Sequence, residues 1–401
     1  MPRATLIALG AAAVLFAVSG AAARAGIRPA RAAGSASAMR AVASHRRVRD
    51  LDVEFYRRRV AADPSGAIDR VRLGGLYLER YRDTGEEPDL TAAEEAARGS
   101  LANRAERNDA AWQLLTGALL GQHRFVEARG AAERFLALDP EDGFRRAVLG
   151  EVLLELGEYH RADALFGQLA PVRYSPAIAP RYARWLELRG RAGQARRLLE
   201  WARDQAARED ATTPQQLSWY ELRLGELALR FGALAEARRR LDAGLALVPD
   251  DWHLLAARAR LALARGDYAS AVSLGDSSLA RHLDPATLAA VGDAWRARGD
   301  SAQAMEYYHA MEVSTRAPRG GFHRAWYLAL LDHGRRVPEV LAAVSKDLET
   351  RRDVYGYDLL AWALYRSGRI PEAREAIAHA LAWGTEDPQL HAHADSIAAA
   401  P

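Results

Sequence analysis

Residues 149–166 read LGEVLLELGEYHRADALF. Leu149 and Leu153 recur at the spacing of one helical face, Gly157 interrupts the run, and Tyr159, Ala162 and Phe166 open a second face. The stretch therefore encodes a helix, a sharp turn and another helix. One such hairpin leaves both apolar stripes facing water and cannot be stable alone. What decides the fold is whether the rest of the chain supplies neighbours of the same kind.

It does. Gly157 is followed, in the same context, by Gly190, Gly232, Gly266, Gly299, Gly334 and Gly368. The glycine thus recurs about every 34 residues, with one longer step between Gly190 and Gly232. Five positions beyond the glycine stands Ala162, Ala195, Ala237, Ala271, Ala304 or Ala373; Val340 takes that place once, after one inserted residue. Ala128 fits one period earlier, with no glycine before it. The glycine ends the first helix, where the backbone must enter the left-handed region. The alanine lets the second helix approach the first. Pro140 and Pro249 close their units because proline cannot continue a helix. A period of this length, sustained this far, predicts stacked helix pairs.

The pattern resembles the tetratricopeptide repeat, whose signature runs W-x2-L-G-x2-Y, then G-x-Y, A-x3-F and a closing P. In the segment beginning at Trp112, residues Trp112, Leu115, Leu119, Phe125, Ala128 and Pro140 fall on it. Leu224, Gly225, Gly232, Ala237, Leu241 and Pro249 match in another copy, and Leu360, Ala361, Leu364, Gly368, Ala373, Ile377 and Ala380 in a third. The resemblance runs from about Leu51 to the C-terminus. It implies an all-α, right-handed superhelical solenoid of about nine antiparallel helix pairs over residues 49–400. DPQLHAHADSIAAAP at the end reads as a C-terminal capping helix with a polar outer side.

Departures from the period mark expected irregularities. Val53–Pro64 reads as the second half of a repeat, serving as an N-terminal cap. RDTGEEPD (82–89) is an expected insertion between two helices. PVRYSPAIAPR (171–181), with three prolines, is expected to loosen the joint between repeats. The long step between Gly190 and Gly232 places a longer helix or loop around AAREDATTPQQ (206–216), and STRAPRGG (314–321) is another joint.

Residues 1–25 have another character. Arg3 precedes an apolar run, Ala4–Ala23, which exits through small residues at Ala21-Ala22-Ala23. This is the pattern of a signal peptide, and its length also suits an uncleaved membrane anchor. Arg24, Arg28 and Arg31 just beyond it favour keeping that flank in the cytoplasm; the small-residue exit favours export to the periplasm or cell envelope. Residues 26–48, rich in Ala, Ser, Gly and Arg, are expected to form a flexible linker.

Composition narrows the chemistry. There is no cysteine, so disulfides and thiolate-bound metals are excluded. Lysine occurs once, at Lys346, and the formal net charge is only +3. No phosphate-cradling glycine loop and no nucleophile elbow is present. His391 and His393 are two positions apart, which on a helix points them about 200° apart and keeps them from sharing one ion. His160, His282, His309 and His333 are read as surface histidines, and Glu94-Glu95 as helix-surface charge. Arg46, Arg47, Arg49 and Arg57–Arg59 form the densest basic cluster, read as a solvated or anionic-lipid-facing segment; without aromatic platforms it does not predict nucleic-acid binding. No metal, cofactor or enzymatic activity is expected.

In tetratricopeptide-repeat proteins the first helix of each pair lines a concave groove that holds a peptide or helix of a partner. Carrying that register over gives the expected groove residues Gln113, Phe144, Glu151, Arg184, Trp219, Arg223, Glu226, His253, Arg260, Asp293, Arg296, Arg324, Asp332, Trp362 and Tyr365. Lysine and asparagine are missing from these positions, which argues against a clamp for a C-terminal carboxylate. The expected function is a non-catalytic scaffold for a protein or peptide partner, resembling uncharacterised exported bacterial proteins of this repeat type. An auxiliary subunit of an envelope polymer-export or assembly machine, and a membrane-anchored adaptor, are the alternatives.

Overall fold

The computed structural model describes residues 35–315 and 324–401. The expected signal peptide lies outside them, as does most of the 314–321 joint. Helix α1 spans Ser35–Ala62. Nine helix pairs follow among the described residues. They are α2 (Ala67–Thr84) with α3 (Glu87–Asn103), α4 (Asp109–Gly121) with α5 (Phe125–Ala137), and α6 (Gly143–Leu156) with α7 (Tyr159–Gln168). Next come α8 (Ala179–Leu188) with α9 (Ala192–Ala206), α10 (Pro214–Arg230) with α11 (Leu234–Leu247), and α12 (Trp252–Ala264) with α13 (Tyr268–Leu279). The last are α14 (Pro285–Ala297) with α15 (Ser301–Ser314), α16 (Arg324–Asp332) with α17 (Val337–Asp347), and α18 (Val354–Arg366) with α19 (Ile370–Leu381). Helix α20 (Pro388–Ala398) ends the array.

Every within-pair turn carries a residue with positive φ: Gly85, His123, Gly157, Gly190, Gly232, Gly266, Gly299, Gly334 and Gly368. His123 explains the pair that lacks a glycine. It takes the left-handed slot at φ 57°, and its ring packs edge-on to Phe125 at 5.5 Å. The alanines five positions on, and Val340, are all buried. A second small position works the same way. A Cβ on Gly150 would lie 2.8 Å from the Phe166 ring, one on Gly225 2.6 Å from Leu241, and one on Gly292 2.5 Å from Tyr308. In each case glycine in the first helix seats the large side chain sixteen positions later in the second.

Neighbour-to-neighbour packing is only half of the architecture, because the solenoid also meets itself. Arg352 donates its backbone N–H to the Leu156 carbonyl at 3.0 Å. Arg351 Nε reaches the Glu155 carbonyl at 3.0 Å, the Val354 N–H reaches Tyr159 Oη at 2.7 Å, and Thr385 Oγ1 reaches the Leu188 carbonyl at 2.7 Å. The side-chain bonds among these span 195 to 197 residues. Trp383 stacks on Tyr159 at 4.8 Å and receives the Arg189 guanidinium at 4.8 Å. His282 fills the space beside Gly85 at the same offset. Thus the turns of early pairs dock on the loops preceding α14, α18 and α20. With roughly 34 residues to a repeat, that separation is about six repeats. One apolar core accordingly joins residues between Leu78 and Leu224 with others between Val354 and Ile397.

The structure corrects several expectations. Residues 35–48 of the expected linker are helical, and Val42 is buried. Alanine and arginine are strong helix formers, and α1 has an acidic surface to pair with. Arg46 bridges Asp83 at 2.7 Å and Asp250 at 2.6 Å, while the buried Arg49 meets Asp83 at 3.0 Å. Together with Arg59, which pairs with Asp69 at 2.9 Å, these ion pairs consume much of the basic cluster that was expected to face solvent or lipid. The segment 82–89 is not a protruding insertion: longer helices absorb it, leaving a turn at Gly85 and Glu86. The proline-rich joint is pinned rather than loose, with Ile178 and Arg181 buried and a short 3-10 turn at Ala170–Val172. The long step between Gly190 and Gly232 holds a loop and a 17-residue α10, started by a Thr213–Gln216 capping box.

Candidate functional site

The first helices of successive pairs bring their charges together, several of them buried. Glu151 on α6 accepts from Arg181 Nε on α8 at 2.7 Å. Glu187 on α8 lies 3.5 Å from Arg223 and 3.3 Å from Arg230 on α10. Glu226 on α10 sits between Arg223 at 3.1 Å and Arg260 of α12 at 3.3 Å. The ladder then crosses the seam. Arg230 approaches Asp387, the N-cap of α20, at 3.7 Å. Arg184 lies over the Tyr355 ring at 5.2 Å, and Arg324 over the same ring at 4.3 Å. Arg324 also pairs with the buried Asp358 at 2.9 Å, which accepts from His393 at 2.8 Å. Burial raises the Asp358 carboxyl, but His393 and Arg324 outweigh it and hold it below the usual carboxylate range. Burial also raises Glu151 and Glu155. Such buried pairs roughly break even as pairs, yet removing one partner costs about 3–5 kcal/mol. They fix which helix faces which.

Nine helix pairs among the described residues share left-handed turns at a regular period. The fold is that of a tetratricopeptide-repeat solenoid. No family model matches the chain, and no curated protein does. Among solved structures the chain is similar to PilW, a type IV pilus biogenesis factor, at 19% identity over 53% of this chain and 97% of that one, with a TM-score of 0.44. It is similar to Pseudomonas aeruginosa pilF at 19% identity over 52% and 93%, with a TM-score of 0.41. YrrB, a TPR protein with an unusual peptide-binding site, gives 15% identity over 51% and 98%, with a TM-score of 0.29. Likeness at this level concerns fold alone.

Two further side chains on first helices are exposed to solvent yet surrounded by protein. Arg82 is exposed to solvent but has protein all around it, which pushes its guanidinium down to about 10. It reaches from α2 into the fields of Glu79, Arg181 and Glu151, and makes no side-chain hydrogen bond among the described residues. Asp332, at the end of α16, is likewise exposed and surrounded; burial raises its carboxyl despite a hydrogen bond from Trp362 Nε1 at 2.8 Å. Trp362 is stacked between His393 at 4.2 Å and Tyr365 at 5.0 Å. One helix pair back, Asp293 accepts from Tyr308 Oη at 2.7 Å and meets His333 at 3.0 Å and Arg296 at 2.8 Å.

The expected groove residues therefore divide. Glu151, Arg184, Arg223, Glu226, Arg260 and Arg324 belong to the charge ladder. Asp293, Arg296, Asp332, Trp362 and Tyr365 form the aromatic and acidic end. Phe144 lies under the Arg181 guanidinium at 5.2 Å, Trp219 packs edge-on to Tyr220, and His253 is stacked on Trp252 at 3.5 Å. Half-buried Gln113 makes no side-chain hydrogen bond among the described residues. Sequence reasoning missed Arg82, Arg181, Glu187, Arg230, Tyr355 and Asp358. Several lie three or four positions from a projected one, so reading one more turn of each helix would have found them. Three surface assignments fail. Half-buried His282 is stacked on Trp252 at 4.2 Å and packs beside Gly85. His333 is held between Asp293 and the Ala329 carbonyl, and burial, which opposes its charge, is outweighed by Asp293. Glu94 is buried and accepts from Arg98, Gln122 and Arg124.

Proposed function

We propose that this solenoid is a non-catalytic scaffold that holds an extended segment of a protein partner against its concave face. The observation that carries this reading is that Arg82 and Asp332, on first helices, are exposed yet surrounded by protein, with Asp332 beside the stacked Trp362 and Tyr365. The charges of the first helices are mostly neutralised within the chain, so a strongly charged ligand gains little there. An extended peptide is better matched, with backbone groups for the polar residues and side chains for the aromatic stack. Aromatic and arginine residues are the usual anchors of such interfaces. The signal-like N-terminus supports export, and the partner would then be a cell-envelope protein.

The test is recovery of bound proteins from the source cells by the full chain and by its Trp362→Ala, Trp219→Ala and Arg82→Glu variants. Loss of the same partner in the Trp362 and Arg82 variants is expected. Unchanged recovery in all three sinks the concave-face reading. Fractionation with mass spectrometry of the N-terminus checks export; a mature form beginning near residues 24–26 in the soluble envelope fraction is expected.

A further inference from the structure

A cavity of about 260 Å³ opens between the proline-rich joint and the α8/α9 pair. Arg173, Arg191 and Arg197 line it, together with Tyr174, Tyr182 and Leu186. No carboxylate is among the lining residues. Among the described residues Arg173 bonds only to the Ala170 carbonyl, and it lies over the Tyr174 ring at 4.8 Å. Arg191 and Arg197 make no side-chain hydrogen bond or ion pair among the described residues. Nearby acids are engaged elsewhere: Glu200 with Arg240 at 2.7 Å and Asp204 with Arg203 at 3.0 Å. Elsewhere many arginines find carboxylates, as Arg161 does with Glu133 and Glu158.

The departure from the repeat creates the site. Extra residues between α7 and α8 carry Arg173 and Tyr174 back over the outer side of the pair, and Tyr174 is fixed edge-on to Trp201 at 5.2 Å. The floor is apolar, with Leu186 and Leu198 buried. Burial raises the Tyr182 phenol while Arg173 and Arg191, which line the same cavity, pull it back. At about 100° per residue, Tyr182 and Leu186 lie on the side of α8 away from Arg184 and Glu187, so the cavity is separate from the charge ladder.

We propose that this cavity binds a small organic phosphate, with the dianion held by Arg173, Arg191 and Arg197 and an aromatic or apolar body against Tyr174 and Leu186. Guanidinium forks match phosphate oxygens bidentately, and three of them around one cavity without a counter-charge form an unneutralised anion site. Its volume is at the small end for ligand pockets, which suits a single ring with one phosphate.

Calorimetric titration of the full chain with phenyl phosphate tests this. One site per chain is expected, weakened at least about tenfold by Arg191→Gln or Arg197→Gln and unchanged by Arg82→Gln on the concave face. Arg191 and Arg197 are both exposed, and a circular-dichroism melt shows whether the variants stay folded. Inorganic phosphate is expected to compete, more weakly. Absence of binding at millimolar ligand, equal affinity in the Arg191→Gln/Arg197→Gln double variant, or benzoate binding as tightly as phenyl phosphate would each overturn the proposal.

Discussion

Two sets of turns share one local structure and meet different surroundings. Gly157 and Gly266 both have φ of +75° at the junction of a helix pair. A Cβ on Gly157 would overlap the Arg352 carbonyl, and one on Gly190 would come 2.6 Å from the Gly384 carbonyl. Around Gly232, Gly299 and Gly368 there is nothing within 4 Å, and around Gly266 only the Tyr268 hydroxyl at 3.9 Å. The early turns are docking surfaces, whereas the later ones are only turns. An open repeat array is stabilised by nearest neighbours alone. Here contacts between distant repeats tie the middle of the array to its C-terminal end, so local sequence equivalence does not mean equivalent energetic weight.

Substitutions can break that contrast. Gly157→Ala combines left-handed strain with overpacking against a backbone, and about 4 kcal/mol of stability should be lost in urea unfolding. Tyr159→Phe leaves the buried Val354 N–H without its acceptor and should cost about 2 kcal/mol by the same measurement. Gly266→Ala carries the backbone strain alone and should cost about 1 kcal/mol. If Gly157→Ala and Gly266→Ala cost the same, the early turns are not docked.

A smaller effect of opposite sign sharpens the comparison at the seam. Asp347, beside Arg351, is raised to about 6 by burial, with Arg351 opposing and Asp353 adding to the shift. A carboxyl raised in the folded state favours folding below its unfolded pKa, and that contribution is lost as pH rises through 6. Asp347→Asn should therefore be about 1 kcal/mol more stable than the parent at pH ~7.5, with partial water screening included, and should show no gain near pH ~3.5. Thermal melts at the two pH values check it.

How much was legible follows from range. Period and turn chemistry are local, so the glycines, the buried alanines and the nine pairs could be read from neighbouring positions. His123 escaped because its left-handed turn is made without the glycine that signals it. Closure escaped for a different reason: Tyr159, Arg351 and Thr385 have no local pattern that announces partners in a distant repeat. The residues of the groove projection lie on first helices, and the sequence did not reveal that Arg184, Arg324 and Glu226 are occupied within the chain. Alanine- and arginine-rich residues 35–48 looked like a tether because the carboxylates that anchor them, Asp83 and Asp250, are far away in sequence.

Amide hydrogen exchange at Arg352 and Val354 tests closure most directly. Arg352 lies in a loop and Val354 is the first residue of α18, positions whose N–H groups have no partner within a helix. Docked on Leu156 and Tyr159, both should exchange as slowly as core amides, and both should become fast in Gly157→Ala. Rapid exchange in the unmodified protein, matching the first-turn amide of Trp252, would show an open solenoid and contradict the account.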